Sequence, residues 1–101
     1  MRLGLVVGRV TLNVAVPALH GARWLVVSPL TRGQLRDGAD QPPGVLGSEP
    51  TLVVYDDIGA SLGDTIGFVE GREAAMPFSI RTPIDAIHVA IIDDVSYRPP
   101  T

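Results

Sequence analysis

Cysteine and lysine are both absent from this chain of 101 residues, and aromatic side chains make up only 5% of it. Without cysteine there is no disulfide, no thiol nucleophile and no zinc site with cysteine ligands. One tryptophan, two tyrosines and two phenylalanines are too few to form a surface on which nucleic-acid bases stack. The sequence also contains no apolar run near the roughly 20 residues that a helix needs to cross a bilayer. We therefore expect no membrane partner.

Positive charge is scarce as well, because eight arginines stand against 11 acidic residues and leave a net charge of −3. Nucleic-acid-binding proteins gain much of their affinity from cationic contacts to phosphates, so an acidic chain argues against that class. The chain is nevertheless 46% hydrophobic, with a mean hydropathy of +0.28, and it is long enough for one buried core. A domain this small without disulfides needs another source of stability, and oligomerisation is the usual one.

The amino terminus is similar to a signal peptide only briefly. Its apolar run from Met1 to Gly8 is interrupted by Arg9 and Asn13, which is too early for a secretory core followed by a cleavage site. We therefore expect a cytoplasmic protein.

Apolar residues recur with a period of two, which predicts β-strands that bury one face. In the first strand the apolar positions change from odd to even numbers, so the strand needs a bulge, which we place at Gly8–Arg9. The alternating apolar residues are Leu3, Leu5 and Val7, followed by Val10, Leu12, Val14 and Val16. Four more strands are predicted over residues 24–27, 51–55, 64–70 and 86–95. Five short strands joined by glycine-rich links predict an all-β fold, a small barrel.

Two of these strands have predicted faces. Ile66 and Phe68 share one face of the fourth strand, and the fifth strand is predicted to point Ile87, Val89 and Ile91 inward with His88 on the opposite face. At most one short helix is expected, a single turn around residues 73–76. The long polar connection over residues 31–50 is predicted to form a hairpin excursion or a surface flap.

A possible catalytic serine lies in the segment from Gly59 to Gly63, which matches the G-x-S-x-G pattern of a nucleophile elbow. That elbow requires a strand followed by a helix, whereas a strand follows here, so the glycines are better explained by a tight connection. Asp85 and His88 are three residues apart on a strand and face opposite sides, so Asp85 does not orient the imidazole. The sequence therefore predicts no catalytic residue and no cofactor.

Acidic doublets at Asp56–Asp57 and Asp93–Asp94 follow the ends of strands. They lack the spacing of a calcium loop, so we interpret them as solvated turn formers and predict no metal site. Arg72 and Arg81 are candidates to pair with acidic residues across a subunit interface, because a planar guanidinium suits such contacts.

The resemblance to a known family lies in four segments, residues 3–10, Trp24–Leu30, Asp57–Asp64 and Pro83–Asp93, which together resemble the EutN/CcmL family of shell proteins from bacterial microcompartments. The opening strand of residues 3–10 is similar to that of the family, and Trp24–Leu30 is similar to its second strand, which ends in Pro-Leu. Asp57–Asp64 resembles the family's D-x-V-G-A-G-x-G-[DE] turn, and Pro83–Asp93 resembles its closing P-x-D-A-x-I-x-x-I-V-D strand. Residues 71–76 depart from the family's G-S-[SA]-A-R stretch, and the 31–50 connection is longer than usual.

The resemblance implies a five-stranded, OB-like barrel over residues 1–97, an extended tail over 98–101, and assembly into a cyclic homopentamer. It implies a structural role without enzymatic activity, in which pentamers cap the five-fold vertices of a cytoplasmic shell built mainly from hexameric shell proteins. By analogy with the family, Gly59, Ala60 and Ser61 line a narrow pore at the five-fold axis. Candidate interface residues are Asp57, Arg72, Arg81 and Asp85.

Two other functions remain open from the residues alone. An OB-like module could bind a ligand or single-stranded nucleic acid, although such modules use a basic groove with aromatic platforms. A small hydrolase using Ser61 is the other alternative, and the G-x-S-x-G pattern is its sole support.

Overall fold

A computed structural model of the protein describes residues 1–31 and 50–96. Within them lie five strands: β1 (Arg2–Val10), β2 (Arg23–Pro29), β3 (Leu52–Asp56), β4 (Thr65–Glu70) and β5 (Ala86–Ile91). Two 3₁₀ helices, Pro17–Leu19 and Gly71–Ala75, occupy connections, and the second covers most of the predicted helical turn. No helix in the described part of the chain is long and apolar enough to cross a membrane. The predictions for the 31–50 connection and the 98–101 tail fall outside the described residues, except at Thr31 and Pro50.

The five strands form a closed barrel in the order β1-β2-β3-β5-β4. β1 pairs with both β2 and β4, and β4 pairs with β5, all antiparallel. The barrel closes through a short parallel contact between β3 and β5, where Tyr55 is paired with Ile87. The predicted all-β, five-stranded barrel is therefore confirmed. Closure also pairs strand edges that would otherwise be free to aggregate.

The hydrophobic core cluster of the barrel consists of aliphatic side chains and one phenylalanine. Ile66 and Phe68 are fully buried, as predicted for the inward face of β4. Across β2 and β3, Leu25 is paired with Val54 and belongs to the same core cluster. These interdigitated residues hold the strands around one core, as their alternation requires.

The outer face of β2 is covered as well. Trp24 meets Tyr55 edge to face at 5.5 Å between ring centroids, and Tyr55 meets Phe78 in the same way at 4.9 Å. Phe78 follows the second 3₁₀ helix, so this segment packs on the outside of the barrel. This packing gives the outward-facing Trp24 of β2 an apolar environment.

The first strand contains the predicted bulge, one residue earlier than expected. Val6 is paired with Val27 and Gly8 with Val26, which leaves Val7 as the inserted residue. Before the bulge the buried residues are Gly4 and Val6, while the odd-numbered Leu3 and Leu5 are only half-buried on the outer side. The alternating apolar residues of this half therefore do not form the inner face.

The predicted continuation of the first strand to Val16 is wrong. β1 ends at Val10, opposite Trp24, and β2 begins only one residue before Trp24, so no strand remains for the following residues to pair with. Leu12, Val14 and Val16 are 41%, 89% and 52% exposed. The alternation of these apolar residues therefore does not mark a buried face of a strand.

The predicted face of β5 is also wrong, because Ile87, although buried, is paired with Tyr55 on the outer side of the barrel. Ala90 is paired with Gly67 and His88 with Phe68, so Val89 is an inserted residue that shifts the register. Val89 and Ile91 are 42% and 48% exposed, whereas His88 is buried. Because Phe68 lies in the core, its partner His88 points to the inside of the barrel.

Replacing Gly4 by alanine should destabilise the barrel, because the added Cβ would overlap Val27 Cγ1 and lie 3.2 Å from the carbonyl oxygen of Ser28. Overfilling a packed interior costs about 1–3 kcal/mol in the free energy of unfolding, measurable by urea denaturation. Gly8→Ala is the matched control on the same strand. Its Cβ would come no closer than 3.3 Å to Val26, its nearest neighbour, so a small shift relieves the contact. Equal losses from the two variants would contradict this account of Gly4.

Candidate functional site: the turn after the third strand

The turn between β3 and β4 is organised around the carboxylate of Asp56, the last residue of β3. Asp56 is 1% exposed. Its Oδ1 accepts hydrogen bonds from the backbone N–H groups of Ile58 and Gly59 at 2.9 and 3.0 Å, and its Oδ2 accepts one from Ala60 at 3.1 Å. Three successive backbone donors therefore converge on one buried carboxylate, an arrangement that binds anions well.

Two side chains complete the surroundings of Asp56. His88 Nδ1 lies 2.8 Å from Oδ1, with both side chains fully buried. The half-exposed Arg23 guanidinium has Nη1 at 3.8 Å from Oδ2, and its Nη2 donates to the carbonyl oxygen of Ala60 at 3.2 Å. The negative charge is thus compensated by donors on β2, on β5 and in the turn itself.

The second half of the turn is held by Asp64 and by β1. Asp64 Oδ2 accepts the N–H of Ser61 at 2.8 Å. The N–H of Gly63 donates to the carbonyl of Val6, and the N–H of Val6 donates to the carbonyl of Asp64, both at 2.9 Å. Gly59 and Gly63 have φ angles of +104° and +89°, which side chains with a Cβ rarely adopt. The sequence interpretation of these glycines as permitting a tight connection is therefore confirmed.

The pKa of Asp56 is set by opposing effects. Burial raises the pKa, because it disfavours the charged carboxylate. The hydrogen bonds from His88 and from the N–H groups of Gly59, Ile58 and Ala60 stabilise that charge and together leave the pKa below its ordinary value of 3.8. Asp56 is therefore ionised at neutral pH and accepts every hydrogen bond it makes.

Since ionised Asp56 can only accept, His88 must carry a proton on Nδ1. Its other ring nitrogen, Nε2, is buried and has no hydrogen-bond partner among residues 1–31 and 50–96. A serine hydrolase needs that nitrogen to take a proton from the nucleophile, whereas Ser61 is exposed and His88 is fully buried. The Asp56–His88 pair consequently does not support the hydrolase alternative.

The three residues predicted to line a pore differ in their exposure to solvent. Gly59 and Ser61 are exposed, but Ala60 is 0% exposed and belongs to the barrel core. The methyl group of Ala60 therefore cannot line a pore, because the turn donates its N–H to Asp56 and packs its side chain inward. A pore lined by Gly59 and Ser61 stays a prediction.

The four candidate interface residues, Asp57, Arg72, Arg81 and Asp85, are all exposed. Asp57 directly follows β3, and Asp85 directly precedes β5. Arg72 lies in the second 3₁₀ helix, and Arg81 lies between that helix and β5. None of these side chains forms an ion pair within the described ranges 1–31 and 50–96. Their role between subunits stays a prediction.

The sequence alone misplaces both residues that organise the site, Asp56 and His88. Asp56 was interpreted as a solvated turn former; it does form the turn, but it is buried. His88 was placed on the face away from the core, and in the family motif quoted above its position carries isoleucine. The signal for Asp56 was an acidic residue directly before a glycine turn, where aspartate commonly accepts N–H groups a few residues ahead. In the part of the chain that the structure describes, no group of three His, Asp or Glu side chains could hold a metal ion.

Replacing Asp56 by asparagine should destabilise the protein by about 2–4 kcal/mol in urea denaturation. Asparagine has one acceptor oxygen in place of two, and its amide group would meet donors. Asp57→Asn is the matched control, because the same change at an exposed neighbour should cost less than about 0.5 kcal/mol. Similar losses in the two variants would show that the carboxylate of Asp56 does not hold the turn.

Lowering the pH should remove the stability that the ionised carboxylate of Asp56 contributes to the fold. A carboxyl group whose pKa is lowered by folding contributes its full stability above its unfolded pKa and loses it as the pH falls through the folded pKa. The difference in unfolding free energy between the wild type and Asp56→Asn should therefore narrow once the pH falls below 3.8. Urea denaturation at a series of pH values measures this difference, and a gap that widens on acidification would contradict it.

Several solved structures are similar to this chain over nearly its whole length. The GrpN pentameric microcompartment shell protein from Rhodospirillum rubrum is 29% identical, with a TM-score of 0.76 over 98% of this chain and 100% of the other. CcmL from Gloeobacter violaceus is 28% identical, with a TM-score of 0.75 over 96% and 90%. EutN from Escherichia coli, an ethanolamine utilization protein, is 25% identical, with a TM-score of 0.73 over 96% and 89%. No curated protein matches the sequence at a significant level.

The family model for "Ethanolamine utilisation protein EutN/carboxysome" matches residues 1–93, which include all five strands and the Asp56 turn. The match therefore covers the described barrel from its first strand to its last, and the chain belongs to the EutN/CcmL family.

Proposed function

We propose that this protein is a structural subunit that forms pentamers and caps the five-fold vertices of a bacterial microcompartment shell. The observation that carries the proposal is the likeness to GrpN, a pentameric shell protein that matches 98% of this chain with a TM-score of 0.76. The family match over residues 1–93 supports the same role. The role is architectural, and the protein itself catalyses no reaction.

The outer surface of the barrel supports assembly. Val53 on β3 and Val89 on β5 are 46% and 42% exposed in the single chain. Exposed apolar residues on a small barrel gain stability when a neighbouring copy covers them, at roughly 25 cal/mol per Å² of apolar surface buried. A head-to-tail contact of this kind closes into a ring when its rotation permits.

Within the ring, we place the turn from Gly59 to Ser61 at the five-fold axis. Its exposed residues are small, so several copies can approach one another there. We place the exposed side chains of Asp57, Arg72, Arg81 and Asp85 at the contacts between neighbouring subunits. A pentamer carries five times the net charge of −3, or −15, and contacts between arginine and acidic residues would offset part of that repulsion.

The partners of such a pentamer are hexameric shell proteins, and its location is the shell of a compartment in the bacterial cytoplasm. The proposal includes no nucleic-acid partner and no membrane partner. The buried Asp56–His88 pair favours neither an OB-like binding module nor a hydrolase, because it serves the turn and not a groove.

The native mass of the purified protein tests the proposal directly. We expect five subunits by native mass spectrometry, stable on dilution to micromolar concentrations. A monomer under the same conditions would overturn the proposal.

Replacing Ser61 by tryptophan tests the position of the turn in the ring. Five bulky rings at the axis should reduce the pentamer fraction or block the central opening, as seen by native mass spectrometry and electron microscopy. Ser61→Ala is the matched control and should leave the pentamer intact. A Ser61→Trp pentamer with an open axis would reject this placement.

A further inference from the structure

The direction of the peptide groups in the turn determines which polar atoms it presents to its surroundings. The N–H groups of Ile58, Gly59 and Ala60 all point at the buried carboxylate of Asp56. In a planar trans peptide unit the carbonyl points opposite to the N–H of the next residue. The carbonyl groups of Asp57, Ile58 and Gly59 must therefore point away from Asp56, on the side where these three residues are exposed.

These carbonyls are also available. In the described residues no hydrogen bond ends on the carbonyl oxygens of Ile58 or Gly59, whereas the carbonyl of Ala60 is held by Arg23 and that of Ser61 by the N–H of Asp64. The donors of the same stretch are used internally, because Ser61 donates its N–H to Asp64. The outer side of the turn consequently presents hydrogen-bond acceptors, while its N–H groups face inward.

The charges around the turn act in the same direction. The Arg23 guanidinium lies beside this side of the turn, since its Nη1 would lie 3.4 Å from a Cβ at Gly59. That guanidinium is already directed to Asp56 and to the carbonyl of Ala60. Each subunit adds the exposed carboxylate of Asp57. Together with Asp56 and Asp64, the turn holds three carboxylates against one guanidinium, which leaves it with a formal net charge of −2.

We propose that the outer side of this turn is a cation site, completed at the five-fold axis by the backbone carbonyls of five subunits. The inference rests on the proposed pentamer and on the placement of the turn at its axis. Rings of backbone carbonyls replace the water around a weakly hydrated cation, and oxygen is the ligand that hard cations prefer. The site takes a monovalent cation or an ammonium group and repels an anion.

A crystal of the pentamer soaked in rubidium bromide tests the site, because anomalous scattering distinguishes rubidium from bromide. We expect a rubidium peak on the five-fold axis next to the carbonyls of Ile58 or Gly59, and no bromide peak there. A bromide peak on the axis, or an axis without rubidium, would overturn the inference.

The variant Asp57→Asn separates the backbone from the side chain. It removes one negative charge from each subunit and leaves every carbonyl of the turn in place, so the rubidium peak should persist. Because we also place Asp57 at a subunit contact, native mass spectrometry checks that the variant is still a pentamer. Loss of the peak from an intact pentamer would assign the attraction to the side chain and overturn the role of the carbonyls.

Failure of the site and failure of the pentamer give different results. A ring that places another surface at its axis would leave the shell function standing and overturn the cation site. A protein that is monomeric in solution would overturn the proposed function, and the cation site with it.

Discussion

The carboxylate of Asp56 carries a charge that has been taken out of water, and a buried charge persists only where enough donors surround it. Here three successive backbone N–H groups and the Nδ1 of His88 lie within 3.1 Å of its two oxygens. Because all three N–H groups must converge on one side, the chain after β3 has a single path available, and Gly59 takes a φ of +104° along it. The conformation of the turn is thus a consequence of satisfying one buried anion.

The same constraint gives the turn its two different sides. Its inner side is fully bonded, with Ala60 in the barrel core and Asp64 tied to β1. Its outer side has little freedom, because a planar peptide that directs its N–H inward must direct the preceding carbonyl outward. Asp56 is buried inside its own subunit, yet it determines which polar atoms the exposed surface of the turn presents.

Much of the fold can be predicted from the sequence, since a period of two is a local signal and barrel closure follows from five such strands. Ile66 and Phe68 were assigned correctly because β4 is regular there. The bulge in β1 can be predicted from the change of parity near Gly8 and lies at Val7. No residue pattern marks the inserted Val89, which reverses the alternation of β5. The Asp56–His88 contact joins residues 32 positions apart. It arises only because β3 and β5 pair in parallel beside Tyr55 and Ile87, a register that no local pattern encodes.

The misassigned apolar residues have a common property that links fold to assembly. Leu12, Val14 and Val89 were expected in the core and are exposed on the single chain. The core is already complete without them, because its fully buried side chains fill the barrel. Closure also pairs the strands of the barrel edge to edge, so another copy must contact side-chain surface rather than add a strand. We propose that a neighbouring subunit covers these apolar residues, which have no place inside the closed barrel.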